Sequence, residues 1–152
     1  MIDALKDFFG LKAASGPEVA AEVHERAVWL ASGVLLFEIV RADNKVEDAE
    51  RSVMRAALQS TFNLTEDQTT EIVALSEAQS RTATSLFEFT SVIDVAFSAE
   101  QKKRIVELLW LVAFADGGKD AAEEHLIRRI AGLLHVPHPD FIDAKIRARG
   151  QG

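Results

Sequence analysis

The segment LLFEIVRADNKVEDAERSVMRAA, from Leu35 to Ala57, recurs as LLWLVAFADGGKDAAEEHLIRRI, from Leu108 to Ile130, with aligned positions 73 residues apart. In both copies an apolar run ends in Ala-Asp, a short acidic stretch follows, and apolar residues then return at helical spacing. Self-similarity of this kind is typical of a duplicated structural unit. We interpret the unit as two antiparallel helices joined by a short acidic turn.

The rest of the chain has the same helical character. Apolar residues recur at spacings of three and four almost everywhere, alternating β-branched runs are absent, and the chain has no tyrosine. We therefore predict an all-α fold of about seven to eight helices, arranged as two pseudo-symmetric helix-hairpin halves. The helices are predicted at about 1–9, 17–41, 44–59, 65–79, 85–97, 98–115, 119–135 and 140–149.

Several helix starts are marked by capping-box spacing, in which Ser, Thr or Asn precedes Glu or Gln by three residues. The five boxes begin at Ser15, Asn44, Thr65, Ser85 and Ser98. Near the other end of the chain, the Pro137-His-Pro139 segment is expected to break the seventh helix. We therefore predict that a short last helix starts near Asp140.

The length of 152 residues predicts a single domain spanning 1–152. Within it we expect an N-terminal amphipathic helix and linker at 1–16, followed by a core at 17–149. A chain of this size can bury enough apolar surface to fold without disulfides or a structural metal. It has no cysteine, which excludes disulfides, thiolate zinc sites and thiol nucleophiles.

The formal net charge of −7, from 17 basic and 24 acidic residues, argues against nucleic acid as a partner. The longest apolar runs, 27–37 and 108–115, are well short of the ~20 residues that a membrane span needs. The first residues, MIDALKDFFG, lack the pattern of a secretory signal, so we expect a cytoplasmic protein. Their one Lys and two Asp argue against a membrane surface, and we expect the 1–9 helix to dock on the core or on a second subunit.

Each copy of the repeat carries carboxylates at three matched positions. They are Asp43, Glu47 and Glu50 in the first copy, and Asp116, Asp120 and Glu123 in the second. The second and third positions are three residues apart on a helix and share a face near its N-terminus, while the first lies in the turn just before. Oxygen clusters of this type suit hard cations such as Ca²⁺, Mg²⁺ or Mn²⁺.

A second interpretation explains the same carboxylates without a ligand. Acidic residues near a helix start are stabilised by the helix dipole, and Asp is a good N-cap. A duplicated hairpin would also inherit its caps at the same spacing. From the residues alone, both cation binding and simple capping remain open.

Other chemistries find little support. The turn beginning at Asp43 has Lys45 and Asp48 where an EF-hand needs a ligand and a glycine, and the Glu-x-x-His repeat of di-iron bundles does not occur. Hydrolase and nucleotide-binding motifs are absent, so we predict no organic cofactor, no catalytic residues and no enzymatic activity. His125 follows the second acidic turn and is interpreted as a surface residue. Trp29 and Trp110 lie in apolar helices and are interpreted as core.

The segments ADNKVEDAE and ADGGKDAAEE, each placed between two apolar helices, resemble the tellurite-resistance TerB-like domain and the related N-terminal domain of DjlA-type co-chaperones. The resemblance covers about 18–148. It implies an all-helical fold with two pseudo-symmetric halves, an association with tellurite or chemical-stress resistance, and a cation site at the acidic turns. The family's motif aspartates correspond to Asp43 and Asp116, and its downstream glutamates to Glu50 and Glu123.

The chain departs from this family pattern at two positions. Asn44 replaces the usual glycine of the first copy, and Lys119 occupies a position in the second copy that is usually aliphatic. We expect a TerB-like binding module for a divalent cation (Ca²⁺, Mg²⁺, Mn²⁺ or Zn²⁺) or for a protein partner, which includes a second copy of the chain. The alternative is a co-chaperone-like interaction domain that binds no metal and uses its acidic residues only as caps.

Overall fold

The computed structural model describes residues 17–42, 48–115 and 121–151, and within these ranges it contains seven helices and no strand. The prediction of an all-α fold is therefore confirmed. The predicted 1–9 helix and the capping boxes at Ser15 and Asn44 lie outside the described residues. The helices are α1 (Pro17–Val40), α2 (Asp48–Phe62), α3 (Glu66–Thr82), α4 (Phe87–Ala96), α5 (Ala99–Phe114), α6 (Ala121–Leu133) and α7 (His138–Gln151).

Helices α1 and α5 form the centre of the structure. All side chains at 27–37 in α1 and at 105–110 in α5 are buried, so both helices are enclosed on every side over these stretches. Helix α1 contacts α2, α3, α4 and α5, and its most extensive contact is with α3. Helix α5 makes its most extensive contact with α7 and also contacts α2 and α6.

The two repeat copies occupy comparable places in this arrangement. In the first copy α1 contacts both α2 and α3, and in the second copy α5 contacts both α6 and α7. Two pseudo-symmetric halves would produce this order of contacts, although the symmetry itself stays a prediction. Among the described helices none has the length and apolar character that a membrane crossing would require.

The crossing of α1 and α3 depends on a glycine. A Cβ atom built on Gly33 would lie 2.1 Å from Ser76 Oγ and 3.1 Å from Ser76 Cβ. Since real Cβ atoms do not approach other heavy atoms to 2.1 Å, the two helices can be this close only because Gly33 has no side chain.

Two of the predicted capping boxes are present. Thr65 Oγ1 accepts a hydrogen bond from the Gln68 backbone N–H, and the Gln68 side chain accepts one from Thr65 N–H. Ser98 and Gln101 make the same reciprocal pair at the start of α5. Each box satisfies two backbone donors that the helix itself cannot pair.

The box predicted at Ser85 is not formed. The N-cap of α4 is Leu86, one residue later, and it makes no side-chain capping bond. Ser85 Oγ instead accepts a hydrogen bond from the Phe87 N–H at 3.1 Å. The serine therefore makes a local turn across two residues, which competes with capping for short hydroxyl side chains.

The segment between α6 and α7 partly corrects the prediction. The helix before the prolines ends at Leu133, and His135 follows in a left-handed conformation with φ of 61°. The last helix begins at His138, not near Asp140, so Pro139 lies in its first turn. A proline is tolerated there because N–H groups of the first turn have no partner within the helix.

Candidate functional site

Four of the six predicted cation ligands lie outside the described residues: Asp43, Glu47, Asp116 and Asp120. The two remaining ligands, Glu50 and Glu123, are described. Within the described ranges no group of three or more His, Asp or Glu side chains has the geometry to hold a metal ion. The two acidic turns therefore stay candidate cation sites, and Glu50 and Glu123 are the two of their six carboxylates whose surroundings the structure describes.

Glu50 and Glu123 occupy the same position in their helices. Each is the third residue, Glu50 in α2 and Glu123 in α6, one turn after the acidic loop. Their exposed fractions are 0% and 1%, so both side chains are buried. Glu50 and Glu123, which are aligned in the sequence repeat, therefore also occupy equivalent positions in the structure.

Burial distinguishes these two glutamates from other acidic residues near helix starts. Asp48 lies in the same first turn as Glu50 and is exposed, as are Glu66 at the start of α3 and Glu100 at the start of α5. The helix dipole favours an acid in all of these positions, and solvent exposure does not remove that benefit. Capping alone therefore does not account for the burial of Glu50 and Glu123.

A buried carboxylate needs compensation because removing its charge from water costs several kcal/mol. Glu107 in the middle of α5 is a third buried carboxylate in the described part of the chain, and Arg104 one turn earlier provides its counter-charge. Glu50 and Glu123 each take part in a polar or electrostatic interaction of their own. Along the chain, Glu50 lies three residues after 43–47 and Glu123 three residues after 116–120.

The histidines do not complete a metal site in the described residues. His125 is exposed, and it lies two residues after the buried Glu123 on the same helix, so the two side chains point in different directions. The prediction that His125 is a surface residue is confirmed. His135 Nδ1 contacts Asp94 Oδ1 at 3.1 Å, whereas the His138 ring stacks on Phe141.

Asp94 connects three elements of the fold. Its Oδ1 atom accepts a 2.5 Å hydrogen bond from Lys102 Nζ on α5, in addition to its contact with His135 after α6. These hydrogen bonds, the one from Lys102 first, hold the pKa of Asp94 below its ordinary value. The contact joins α4, α5 and the α6–α7 turn at the surface.

Each repeat copy also has a cation over its central aromatic ring, which the sequence analysis did not predict. The Arg51 guanidinium carbon lies 5.3 Å from the Phe37 ring centre, and Lys145 Nζ lies 5.0 Å from the Trp110 ring centre. Phe37 and Trp110 are aligned in the repeat and both are buried. The interpretation of Trp110 as core is thus confirmed, as is that of Trp29.

The ion pairs beside these rings have opposite polarity in the two copies. Arg51 pairs with Glu77 of α3, whereas its aligned residue Glu124 contacts Lys145 of α7 at 3.5 Å. In the first copy the hairpin supplies the cation, and in the second copy it supplies the carboxylate. The opposite charges at aligned positions 51 and 124, beside aligned aromatic residues, were the only sequence signal of this arrangement.

Comparisons with known proteins agree with the fold. A crystal structure of PG1108, a protein of unknown function from Porphyromonas gingivalis, matches with a TM-score of 0.62 and 22% sequence identity. The match covers 82% of this chain and 95% of the other. No curated protein matches the sequence.

The family comparison is more specific. The model of the family described as "Tellurite resistance protein TerB" matches residues 29–146, which is most of the chain and includes both acidic turns. The resemblance seen in the two acidic segments is thereby confirmed, and the chain belongs to the TerB family.

Proposed function

We propose that this TerB-family chain is a binding module in which each acidic turn holds a divalent cation. Asp43, Glu47 and Glu50 would supply the oxygen ligands in the first turn. Asp116, Asp120 and Glu123 would supply them in the second. The observation that carries the proposal is the burial of Glu50 and Glu123 at the same position of two repeated hairpins.

The chemistry of burial supports this assignment. A divalent cation among several carboxylates offsets their mutual repulsion and the cost of removing them from water. The exposed Asp48 shows by contrast that an acid of the same first turn can interact with the helix dipole from the surface. Oxygen ligands favour Ca²⁺, Mg²⁺ or Mn²⁺, and the lack of cysteine removes the preferred ligands of a structural Zn²⁺ site.

Calorimetric titration of the purified chain with Ca²⁺, Mg²⁺, Mn²⁺ and Zn²⁺ tests the proposal, together with thermal unfolding at each metal concentration. We expect saturable heat and a higher melting temperature with at least one of the hard cations. Glu50→Gln and Glu123→Gln should each abolish binding at one turn, because an amide keeps the size of the side chain and removes its charge. Asp48→Asn is the matched control, since it removes an exposed charge from the same first turn as Glu50.

Two results would reject the cation proposal. One is the absence of both heat and thermal stabilisation at millimolar metal. The other is an equal loss of binding in Asp48→Asn and Glu50→Gln, which would indicate a diffuse effect of negative charge.

A second candidate function is a protein-interaction domain without metal. Its support is an exposed apolar pair on α4, Phe87 at 66% and Val95 at 83% exposure, which lie two turns apart on the helix. In this case Asp43→Ala and Asp116→Ala would each lower stability by about 1 kcal/mol as lost caps. A pull-down with the double variant separates the two functions, because partner binding would survive the loss of both aspartates and fail in Phe87→Ser.

The proposed cellular role is a contribution to tellurite or chemical-stress resistance in the cytoplasm, through binding and not catalysis. The family description supports the first part of this role. A strain that lacks the gene should tolerate less tellurite, and the wild-type gene, but not the Glu50→Gln/Glu123→Gln variant, should restore tolerance. Equal restoration by the variant would separate resistance from the acidic turns.

A further inference from the structure

A cavity of about 170 Å³ opens where the end of α1, the loop between α3 and α4, and one face of α6 meet. Arginines from two different parts of the chain line it: Arg41, just after α1, and Arg129, on α6. Leu126, one turn before Arg129 on the same helix, supplies part of an apolar wall. Neither Glu50 nor Glu123, the two described glutamates of the acidic turns, lines the cavity.

The two arginines are only weakly neutralised by the surrounding protein. Arg129 makes no ion pair with any residue in the described ranges, and Arg41 Nε lies 3.9 Å from Glu38 Oε2. The other carboxylate oxygen of Glu38 accepts a 2.8 Å hydrogen bond from Ser80 Oγ. Among the described residues that line the cavity there are two guanidinium groups and one carboxylate, so this part of the lining carries a net positive charge in an otherwise acidic chain.

Hydroxyl groups of the α3–α4 loop add neutral donors. Thr84 and Ser85 both line the cavity. Ser85 Oγ accepts the Phe87 N–H, and this leaves the hydroxyl proton of Ser85 available to a ligand. Ser85 makes no capping bond to α4, and it lies in the wall of the cavity.

We propose that this cavity binds a phosphate-type oxyanion between Arg41 and Arg129. A guanidinium group offers paired N–H donors that match two oxygens of such an anion, and two guanidinium groups can hold it from separate sides. The hydroxyls of Thr84 and Ser85 donate to the remaining oxygens. Glu38 orients Arg41 and also opposes the anion, so removal of its charge should strengthen binding.

The experiment is a titration of the full chain with inorganic phosphate at constant ionic strength, adjusted with sodium chloride. EDTA is present throughout, so that the outcome is independent of the proposed cation sites. Binding is measured by ³¹P NMR line broadening and by the shift in melting temperature. We expect saturable binding in the wild type and a loss of affinity of about tenfold or more in Arg41→Gln and in Arg129→Gln.

Two further variants make the test specific. Arg81→Gln removes an exposed charge from the end of α3, close to the loop but outside the cavity lining, and should bind phosphate like the wild type. Glu38→Gln should bind it several-fold more tightly. A parallel titration with glycerol 3-phosphate identifies the form of the ligand. Tighter binding of glycerol 3-phosphate than of inorganic phosphate indicates a site for phosphate monoesters. Inorganic phosphate binding at least as tightly as glycerol 3-phosphate indicates a site for the free anion.

The proposal is overturned by any of three results. They are the absence of saturable phosphate binding in the wild type, the same loss of affinity in Arg81→Gln as in Arg129→Gln, and a weaker affinity in Glu38→Gln. The thermal melts without phosphate show whether each variant is folded, so a loss of binding is not confused with a loss of structure.

Discussion

Replacing Gly33 with alanine would introduce a methyl group where α1 lies close to α3. The new Cβ atom would lie 2.1 Å from Ser76 Oγ and 3.1 Å from Ser76 Cβ. Rotation of the Ser76 side chain can move its hydroxyl away, but the Cβ atom is attached directly to the α3 backbone. The helices must therefore separate by a few tenths of an ångström, in a region where both residues are in the buried interior.

Two opposing terms decide the size of the effect. Alanine is better than glycine in a helix by about 1 kcal/mol. Overpacking a buried contact costs about 1–3 kcal/mol, and separating the helices also weakens neighbouring contacts such as that of Ile72, which lies 3.6 Å from the new atom. We expect a net loss of about 1–2 kcal/mol in the free energy of unfolding, or a melting temperature lower by roughly 2–8 °C for a chain of this size.

Urea unfolding followed by circular dichroism measures this change, with an unchanged denaturant dependence as evidence that the two-state transition is preserved. Gly132→Ala is the matched control, because Gly132 also lies in a helix and its added Cβ would meet no atom within 4 Å. That control should gain up to about 1 kcal/mol.

A double-mutant cycle tests the cause. Ser76 Oγ is buried and has no hydrogen-bond partner in the described ranges, so Ser76→Ala alone should be close to neutral. In the Gly33→Ala background it removes the hydroxyl that would otherwise have to rotate within the buried interior, so it should recover part of the lost stability, with a coupling energy of at least about 0.5 kcal/mol. The cost of the 3.1 Å approach between the two Cβ atoms should remain. If Gly33→Ala instead stabilises the protein as Gly132→Ala does, the close approach of α1 and α3 is wrong.

Two other predictions concern single residues. His135→Gly should raise the free energy of unfolding by about 0.5 kcal/mol, because glycine adopts the φ of 61° without the steric cost that a side chain carries, and this gain exceeds the loss of the exposed contact with Asp94; an unchanged or lower value in urea unfolding would contradict this. Asp94 has a lowered pKa in the folded state, so its contribution to stability is present above the unfolded value of about 3.8 and is lost as the pH falls below it. Asp94→Asn should therefore flatten the decline of melting temperature with falling pH in that acidic range, and an unaltered decline would refute the role of the Lys102 contact.

The helices were largely predictable because their signals are local. The periodicity over 17–41 predicted α1 to within one residue of its observed end at Val40, and the boxes at Thr65 and Ser98 predicted the starts of α3 and α5. The box at Ser85 failed because a hydroxyl can satisfy a nearby N–H in more than one way. The start of α7 was placed too late because a proline ends one helix yet is accepted in the first turn of the next.

The candidate site was only partly predictable. Repetition of the acidic triplet pointed to Glu50 and Glu123, but spacing along the chain could not show that both are buried while Asp48 is exposed. Likewise, the sequence alone shows that the aligned positions of Arg51 and Glu124 carry opposite charges. Their partners Glu77 and Lys145 are identified only when α3 and α7 pack against the hairpins.

By itself, the amino-acid sequence determined the all-helical class, the duplicated hairpin and most helix boundaries, since each depends on interactions within a few residues of the same chain segment. Tertiary structure alone decided which carboxylates are buried. It also decided that α1 and α3 pack closely at Gly33, and that Arg41 and Arg129 line the same cavity. Those properties depend on distances between segments far apart in the chain, and such distances arise only when the side chains of all the helices pack together.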